Sequence, residues 1–274
     1  MSEWTAIIDD VIDHVNLLKE LGERSVEIDP AVLRSLGAAA PSVAAVPPRP
    51  ASAPRPVTPS VAFEKPRSNP PAVLAAAALT PEARRKALSD IAAQAEACSA
   101  CVLHEKRTKS VPGQGNPDSP DVMFIGEAPG YDEDQQGLAF VGAAGQLLTK
   151  MIAAMGYTRD QVFIANICKC RPPGNRTPLP EEMQKCLPFL RGQIGVVRPK
   201  VIVLLGGTAI KGLLDTQVGV TRLQGQWTSY EGIPVMPTFH PSYLLRFEPA
   251  KRDAWHALKL VLAHLGRPVP GASK

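Results

Sequence analysis

Four cysteines in this chain of 274 residues have a spacing suited to binding a metal. Two residues separate Cys98 from Cys101, and Cys170 and Cys186 follow after a gap of 68 residues. These thiols converge on one centre only if the intervening chain folds back on itself. Zinc ribbons usually carry two Cys-x-x-Cys pairs, whereas an iron–sulfur cluster better tolerates the wide second spacing. The spacing therefore predicts a metal centre, favours iron–sulfur and leaves zinc open. The fifth cysteine, Cys168, is predicted to be a small buried residue.

The segment between the cysteine pairs carries carboxylates at a sharp turn. Glu127 lies inside GEAPG (126–130), where glycines allow the backbone to approach a ligand closely. A carboxylate held there can activate water or stabilise a developing cation. The acidic run 132–134 follows, and its two aspartates are predicted to favour a helix start or to face solvent. The sequence contains no glycine-rich loop typical of nucleotide cofactors.

Three further side chains could hold a flat polar ligand. Phe140 lies among small residues, so a planar ring has room to stack on it, although a core position is the commoner role. The amide of Asn166 offers a donor and an acceptor, as the edge of a nucleobase requires, and a strand-end cap is the alternative. His240 begins the segment HPSYLLR and can donate to an anion forming on a leaving group. The remaining histidines are predicted to be ordinary helix or surface residues: His14, His104, His256 and His264.

Basic and small polar side chains near these residues are suited to phosphates. Arg171 and Arg176 lie on the proline-stiffened loop after the third cysteine. Ser242 and Arg246 could grip phosphate too, and Leu244 could enter a base stack as a wedge. The net charge of +4 is uneven: residues 1–81 hold 7 Lys/Arg and 9 Asp/Glu, and residues 82–274 hold 23 and 17. The part that carries the motifs therefore carries the basic excess that a polyanion binder needs.

Alternating apolar strands and helices must position these residues. Strand patterns occur at 121–125, 162–167, 201–205 and 233–237, and helical patterns at 81–97, 145–155, 180–197, 208–214 and 249–265. This order predicts an α/β fold whose parallel sheet is covered on both faces. Ligands of such sheets bind at the carboxyl ends of the strands. Glu127 and His240 follow strands and Asn166 ends one, so we expect all three on one rim of the sheet.

The N-terminal third has a different composition. Residues 1–36 contain an amphipathic helical segment, with apolar residues at steps of three and four between 4 and 21. Residues 37–80 are rich in Ala and Pro, and eleven of the 28 prolines lie between 41 and 81, which predicts a disordered linker. The helix is either a docking peptide for a protein partner or a frayed remnant. The first residues lack a signal-peptide pattern and no apolar run is long enough to span a membrane, so we expect a cytoplasmic protein with reduced thiols.

Together these motifs resemble family 4 uracil-DNA glycosylases, the iron–sulfur type of many bacteria and archaea. The resemblance covers residues 85–266 and includes GEAPG, GLAFVGAAGQLL, KCRPPGNRTP after Asn166, HPSYLLR and the four cysteines. It implies a three-layer α/β/α sandwich around a central four-stranded parallel sheet, in a glycosylase domain at 81–274. It also implies a [4Fe-4S] cluster on Cys98, Cys101, Cys170 and Cys186.

The implied activity is hydrolysis of the N-glycosidic bond of deoxyuridine flipped out of DNA, the first step of base excision repair. Free uracil leaves and an abasic site remains. Glu127, with Glu133 as second candidate, would act on the attacking water, and His240 would donate to the departing uracil anion. Phe140 would stack on the base and Asn166 would select uracil. The pocket would also include Ala128 and Pro129, and DNA would contact Arg171, Arg176, Ser242, Leu244 and Arg246.

Two competing interpretations stay open at this level. A related group traps uracil-DNA covalently through a histidine on an inserted basic loop, but RPPGNRTPLP after Cys170 has no histidine and no insertion. The second is a non-enzymatic, metal-stapled DNA-binding or polymerase-accessory module tethered by the N-terminal helix. On the favoured interpretation, the partner is uracil-containing DNA, single- or double-stranded, bound by a monomer away from membranes.

Overall fold

Four apolar strands set the architecture of residues 79–270, the part of the chain that the computed structural model describes. The predicted helical segment 1–36 and residues 37–78 of the predicted linker lie outside the described residues. Between residues 79 and 270, no helix is both long and apolar enough to cross a membrane.

The sheet has a parallel centre with an antiparallel strand at each edge. In chain order the strands are β1 Gln114–Gly115, β2 Val122–Gly126, β3 Phe163–Asn166, β4 Val201–Leu205, β5 Thr228–Tyr230 and β6 Ile233–Thr238. Their spatial order is β1-β3-β2-β4-β6-β5. The four predicted strands pair in parallel, whereas β1 and β5 pair antiparallel with β3 and β6. The predicted four-stranded parallel sheet is therefore confirmed as the centre of a mixed six-stranded sheet.

The helices confirm the predicted alternation. Their bounds are α1 Pro81–Ala97, α2 Tyr131–Gln136, α3 Ala143–Ala154, α4 Pro180–Val197, α5 Gly207–Leu214, α6 Val220–Leu223, α7 Pro241–Arg246 and α8 Lys251–His264. Thr80 caps α1, because its hydroxyl oxygen accepts the Ala83 N–H at 3.3 Å. The three helices that the sequence did not predict, α2, α6 and α7, are only four to six residues long. Apolar periodicity is not visible over so short a segment.

Two apolar cores, one on each face of the sheet, make the three layers. Along β2, Phe124 belongs to the core shared with α3 and α8, while Met123 and Ile125 belong to the core shared with α4 and α5. Successive side chains of a strand point to opposite faces, so a strand buried on both faces is apolar throughout. All five residues of β2 and of β4 are buried. The predicted α/β/α sandwich is confirmed.

Helix α1 is held against α4 by a buried arginine. The Arg84 guanidinium, 8% exposed, donates to the carbonyls of Val196 and Val197 at the end of α4. A buried guanidinium needs such acceptors, since unpaired burial of its charge would be strongly unfavourable. This contact fixes the direction of α1, and Cys98 follows directly as its C-cap. The first cysteine is thereby placed beside α4, which carries Cys186.

Candidate active site

The carboxyl ends of the parallel strands surround a pocket of about 400 Å³. Such a position is expected of ligand sites in open α/β sheets. The pocket is lined by all the residues predicted from the sequence to bind a base, namely Glu127, Ala128, Pro129, Phe140, Asn166 and His240. Fold topology thus brings together residues that are far apart in the sequence.

Gly126 allows two of these side chains to meet at the end of β2. It pairs in register with Asn166 of β3. A Cβ atom at position 126 would lie 2.6 Å from Asn166 Oδ1 and would also overlap the Phe140 ring. Only glycine therefore lets the ring and the amide approach the strand end this closely.

The backbone of Phe140 is held in a left-handed conformation, with φ of +54°. Such a conformation is unfavourable for a bulky residue and persists only where surrounding contacts enforce it. One enforcing contact is Gly145 of α3, because a Cβ there would lie 2.7 Å from Phe140 Cα and closer still to its carbonyl. The ring of Phe140 is only 6% exposed and lies 5.7 Å from the His240 ring, centroid to centroid.

Glu133 ties the loop that contains Phe140 to the GEAPG turn. Its Oε1 accepts the backbone N–H groups of Val141 and Gly142, both at 2.8 Å, and its Oε2 accepts that of Gly130 at 3.1 Å. The side chain lines the pocket but is only 9% exposed. A carboxylate with three backbone donors is already occupied in holding the two loops. These three hydrogen bonds hold the GEAPG turn and the loop with Phe140 together.

Arg159 supports the same loop from outside the pocket. Its Nη2 donates to the carbonyl of Ala139 at 2.7 Å, and its Nη1 donates to Thr149 Oγ1 at 3.1 Å. Thr149 in turn donates to the Gly145 carbonyl at 2.9 Å. The sequence analysis missed this residue, because nothing in the local pattern relates position 159 to position 139.

Asn166 presents a buried acceptor with no partner in the described residues. The side chain is 1% exposed, and its Oδ1 makes no hydrogen bond. Leaving such an atom unpaired is unfavourable by about 1–3 kcal/mol. A ligand that brings an N–H group to this atom would remove that penalty. The backbone carbonyl of Asn166 also accepts a hydrogen bond from the Lys169 ammonium at 2.8 Å, which helps to fix the position of the residue.

His240 is held as a neutral imidazole. Burial and the nearby Arg246 guanidinium lower the pKa of His240 to about 4. Its Nδ1 accepts the Ser242 N–H at 3.1 Å and lies 2.7 Å from Ser242 Oγ. Since Nδ1 acts as an acceptor, a neutral ring carries its proton on Nε2. At neutral pH the imidazole can therefore donate a hydrogen bond without carrying a charge.

Glu127 lies in the same pocket with a partly desolvated carboxyl group. Burial raises the pKa of Glu127, and a hydrogen bond from Thr208 partly offsets the rise. The peptide groups on either side of this turn are fixed, because the N–H groups of Ile167 and Cys168 donate to the carbonyls of Gly126 and Glu127 at 3.0 Å. Thr208, at the start of α5, was another partner that sequence analysis did not identify.

Four of the five predicted DNA-binding residues lie at the pocket or next to it. Arg176, Ser242 and Arg246 line it, and Arg171 precedes the lining residue Pro172. Part of the hydrogen-bonding capacity of Arg176 is already used, because both of its terminal nitrogens donate to Glu182, at 2.8 and 2.7 Å. Ser242 is hydrogen-bonded to His240, so it orients the imidazole in addition to any phosphate contact. Arg246 is exposed.

The predicted wedge, Leu244, needs correction. Its side chain is 1% exposed and packs with Ala250 and Ala254 in a small apolar cluster. A buried side chain cannot enter a base stack unless α7 unfolds. The neighbouring Leu245 is 49% exposed. The sequence alone does not show whether Leu244 or Leu245 faces the core, because a helix of six residues is too short for an apolar pattern to be visible.

The four predicted ligand cysteines line one small cavity. Cys98, Cys101, Cys170 and Cys186 surround it together with Arg107 and His104, whereas Cys168 is not among its lining residues. Cys168 is fully buried, as predicted. Within residues 79–270, no group of three or more His, Cys, Asp or Glu side chains has the arrangement needed to hold a single metal ion. The cavity that the four cysteines line has a volume of about 10 Å³.

Hydrogen-bond donors point at the sulfur atoms of this cavity. Arg107 Nη1 lies 3.1 Å from Cys170 Sγ, the Lys169 backbone N–H 3.1 Å from Cys186 Sγ, and the Ala100 N–H 3.5 Å from Cys98 Sγ. Such donors stabilise thiolates and tune iron–sulfur clusters. Four thiols that line one cavity, with N–H donors to three of their sulfur atoms, fit a thiolate-bound metal centre.

Lys169 adds a buried positive charge beside these thiols. The side chain is 1% exposed, and its ammonium donates to Asn166 O and to Gln193 Oε1, at 2.8 and 2.7 Å. Burial lowers the pKa of Lys169 to about 8, and the Cys186 thiol counteracts this effect. Lys169 connects the cysteine cavity with Asn166 of the pocket.

An α/β/α sandwich with a pocket of about 400 Å³ at its strand ends and a four-thiol cavity linked to it by Lys169 defines the class of fold and site. A sequence profile described as "Uracil DNA glycosylase superfamily" matches residues 112–259. The chain is 46% identical over 167 residues to a type-4 uracil-DNA glycosylase of Thermotoga maritima, covering 60% of this chain and 85% of that protein. It is 41% identical over 180 residues to a type-4 uracil-DNA glycosylase of Archaeoglobus fulgidus, covering 63% and 89%. A type-5 uracil-DNA glycosylase of Pyrobaculum aerophilum is 32% identical over 140 residues, covering 45% and 62%.

The chain belongs to the uracil-DNA glycosylase superfamily, and within it to the type-4 family. The resemblance stated from the motifs is thereby confirmed.

Proposed function

We propose that the pocket receives a uracil flipped out of DNA and that the chain hydrolyses the N-glycosidic bond of that deoxyuridine, releasing uracil and leaving an abasic site. The observation that carries the proposal is the unpartnered Asn166 Oδ1 in a pocket with a stacking ring and a neutral imidazole. The type-4 relatives named above support the substrate and the reaction class. The reaction would be the first step of base excision repair.

Base recognition would depend on Asn166 and Phe140. Uracil carries an N–H donor at N3 beside a carbonyl at C4, so one amide can accept from the first and donate to the second. Cytosine has an acceptor at N3 and an amino group at C4. Its N3 would face Asn166 Oδ1, which is also an acceptor, so the hydrogen bond that uracil makes would be lost. The Phe140 ring, fixed at the end of β2, would stack on the base. Ala128 and Pro129 complete the wall on the GEAPG side.

Departure of the base would depend on His240. As the glycosidic bond breaks, its electron pair goes to the uracil ring and negative charge develops on the carbonyl oxygens. A neutral imidazole with its proton on Nε2 can donate a short hydrogen bond to that oxygen. The low pKa of His240 keeps the donor uncharged in the free protein, so no proton has to be lost or gained before substrate binds. Ser242 holds the ring in this tautomer.

The sugar left behind develops positive charge and takes up water. Glu127 would orient that water and accept its proton while its carboxylate stabilises the sugar cation. Burial raises the pKa of Glu127, which strengthens it as a base. Glu133, held by three backbone N–H groups, would keep the turn and the Phe140 loop in place.

Uracil-containing DNA, single- or double-stranded, would lie across the pocket mouth. Arg246 and Arg171 would bind phosphates there. Arg176 would add its positive charge, although its terminal nitrogens already donate to Thr177 O and to Glu182. Leu245, exposed on α7, takes the wedge role that the sequence analysis gave to Leu244. Flipping the base requires unstacking, which is unfavourable by a few kcal/mol and is offset by these contacts.

Cys98, Cys101, Cys170 and Cys186 would hold a [4Fe-4S] cluster. When bound, the cluster would supply a cross-link between the end of α1, the loop after β3 and helix α4. All four thiols are needed for the irons, so no ligand position is open to substrate. The basic loop 171–176 would thereby be fixed beside the pocket.

The glycosylase domain would span residues 81–274, preceded by the predicted linker 37–80 and the predicted helical segment 1–36, which would be either a docking peptide for a protein partner or a frayed remnant. The protein would act in the cytoplasm as a monomer.

Strand nicking tests the proposal. Wild-type protein is incubated with single- and double-stranded oligonucleotides carrying one deoxyuridine, and alkali then cleaves abasic sites. We expect cleavage by wild type and by the control Glu181→Gln, which changes an exposed carboxylate of α4. Glu127→Gln and His240→Ala should lose uracil release while they keep their affinity for DNA. Normal release by both variants would contradict the mechanism.

A denaturing gel of the same reactions separates hydrolysis from covalent trapping. We expect free protein and no shifted band, because the loop after Cys170 contains no histidine. A heat-stable protein–DNA band would replace the hydrolase by a trapping protein, and tight binding without any release would favour the accessory module.

A further inference from the structure

An exposed tyrosine and an arginine form a stack next to the pocket. The Arg171 guanidinium carbon lies 5.0 Å from the centroid of the Tyr131 ring. Tyr131 is 57% exposed, and it belongs to none of the three apolar clusters of residues 79–270. The Tyr131 ring therefore does not contribute to the apolar core of these residues. With the guanidinium over the ring, Tyr131 still remains more than half exposed.

Each member of this stack is the chain neighbour of a residue that lines the pocket. Tyr131 begins α2 and directly follows the lining residue Gly130. Arg171 directly precedes Pro172, which lines the pocket together with Asn175. The stack therefore lies next to the pocket, one residue along the chain from Gly130 and from Pro172.

The stack is preformed. Arg171 Nε donates to Asn175 Oδ1 at 2.7 Å, and the N–H of Asn175 donates to the Pro172 carbonyl at 3.1 Å. The loop contains two consecutive prolines and directly follows the cavity cysteine Cys170. Little conformational entropy is therefore lost when a ligand stacks on it.

We propose that Tyr131, backed by Arg171, is the stacking platform for the nucleobase next to the flipped uracil. Flipping removes one stacking partner from each neighbouring base, and an aromatic face replaces it. Every base has a π-face, so the platform would accept any neighbour. The adjacent cation attracts the phosphate of the same nucleotide. The platform matters most in single strands, where no opposite strand keeps the neighbour stacked. The inference rests on the proposed function.

A binding cycle on single-stranded DNA tests the platform. The ligand is a short oligonucleotide with 2′-fluoro-deoxyuridine, whose glycosidic bond resists hydrolysis, and it is made with adenine on both sides or with abasic spacers on both sides. Wild type, Tyr131→Ala, Tyr131→Leu and Tyr131→Phe are compared by Kd. A stacked base contributes roughly 5- to 150-fold in affinity. We expect wild type and Tyr131→Phe to lose that factor with the spacers.

Tyr131→Ala and Tyr131→Leu should bind the adenine-flanked ligand more weakly by a similar factor and should lose nothing further with the spacers. On cleavable single strands, the same variants should raise KM while the rate at saturation stays near that of wild type. Equal spacer losses in wild type and Tyr131→Ala, or wild-type affinity of both truncated variants, would overturn the platform. Failure of wild type to release uracil would instead overturn the proposed function, and the binding cycle would still report on Tyr131.

Discussion

Replacement of Gly145 by alanine should displace Phe140 from the pocket. An alanine Cβ would lie 2.7 Å from Phe140 Cα and closer to its carbonyl, whereas carbon atoms in contact prefer about 3.5–4.0 Å. Because that Cβ would lie 2.0 Å from the Phe140 carbonyl carbon, the backbone of residue 140 would have to move by about 1.5 Å. It has little freedom to do so, because Glu133 and Arg159 hold the neighbouring peptide groups. A misplacement of about 1 Å in an active site can lower the rate by about 100-fold.

The effect on stability has two opposing parts. Overpacking destabilises by about 1–3 kcal/mol. Alanine in a helix is favoured over glycine by about 0.5–1 kcal/mol, so the net loss should be about 1 kcal/mol. Gly195 of α4 offers a matched control, because a Cβ there would meet no atom within 4 Å. Gly195→Ala should therefore gain about 0.5–1 kcal/mol and leave the rate unchanged.

Urea unfolding and single-turnover uracil release from a single-stranded oligonucleotide measure the two effects. The reasoning is refuted if Gly145→Ala retains a rate within about threefold of wild type, far from the 100-fold loss expected. The Gly195→Ala result shows whether the general effect of alanine in a helix has been estimated correctly.

The remaining predictions concern pH, the wedge and the cluster. Because the pKa of His240 is lowered to about 4, the unfolded chain binds a proton before the folded one as pH falls below about 6.5. Urea unfolding at pH 7.5 and 4.0 should therefore show wild type losing up to about 3 kcal/mol more than His240→Asn, and equal losses would contradict the buried neutral imidazole. Leu244→Ala should destabilise the fold by about 2–5 kcal/mol, whereas Leu245→Ala should keep stability and slow uracil release from duplexes more than from single strands; an unchanged duplex rate would exclude the wedge. Purified protein should absorb near ~400 nm, Cys98→Ser should lose this band and Cys168→Ala should keep it, while a colourless protein with stoichiometric zinc would refute the cluster.

The strands and the residues that follow them could be predicted from the sequence for a local reason. A strand buried on both faces must be apolar throughout, so β2 and β4 are visible as short uninterrupted runs. Chemically active residues directly after such runs reach the strand-end rim whatever the details of packing. This is why Glu127, Asn166 and His240 were found together in one pocket.

Side-chain contacts between distant segments were not predictable in the same way. The role of Glu133 depends on N–H groups at positions 130, 141 and 142, whose approach is set by the left-handed Phe140 and by Arg159. Edge strands β1 and β5 have two and three residues, too few for a pattern.

The sequence by itself determined the class of fold, the family and the candidate residues for the chemistry, because each is written in short motifs and apolar runs. Only the tertiary structure decided which of those residues remain free to act. It commits Glu133 to backbone N–H groups, and it buries Leu244 while exposing Leu245. It also brings four cysteines from three segments around one cavity. The physical reason is that burial and hydrogen-bond partners are properties of packed segments, and no local pattern of residues specifies them.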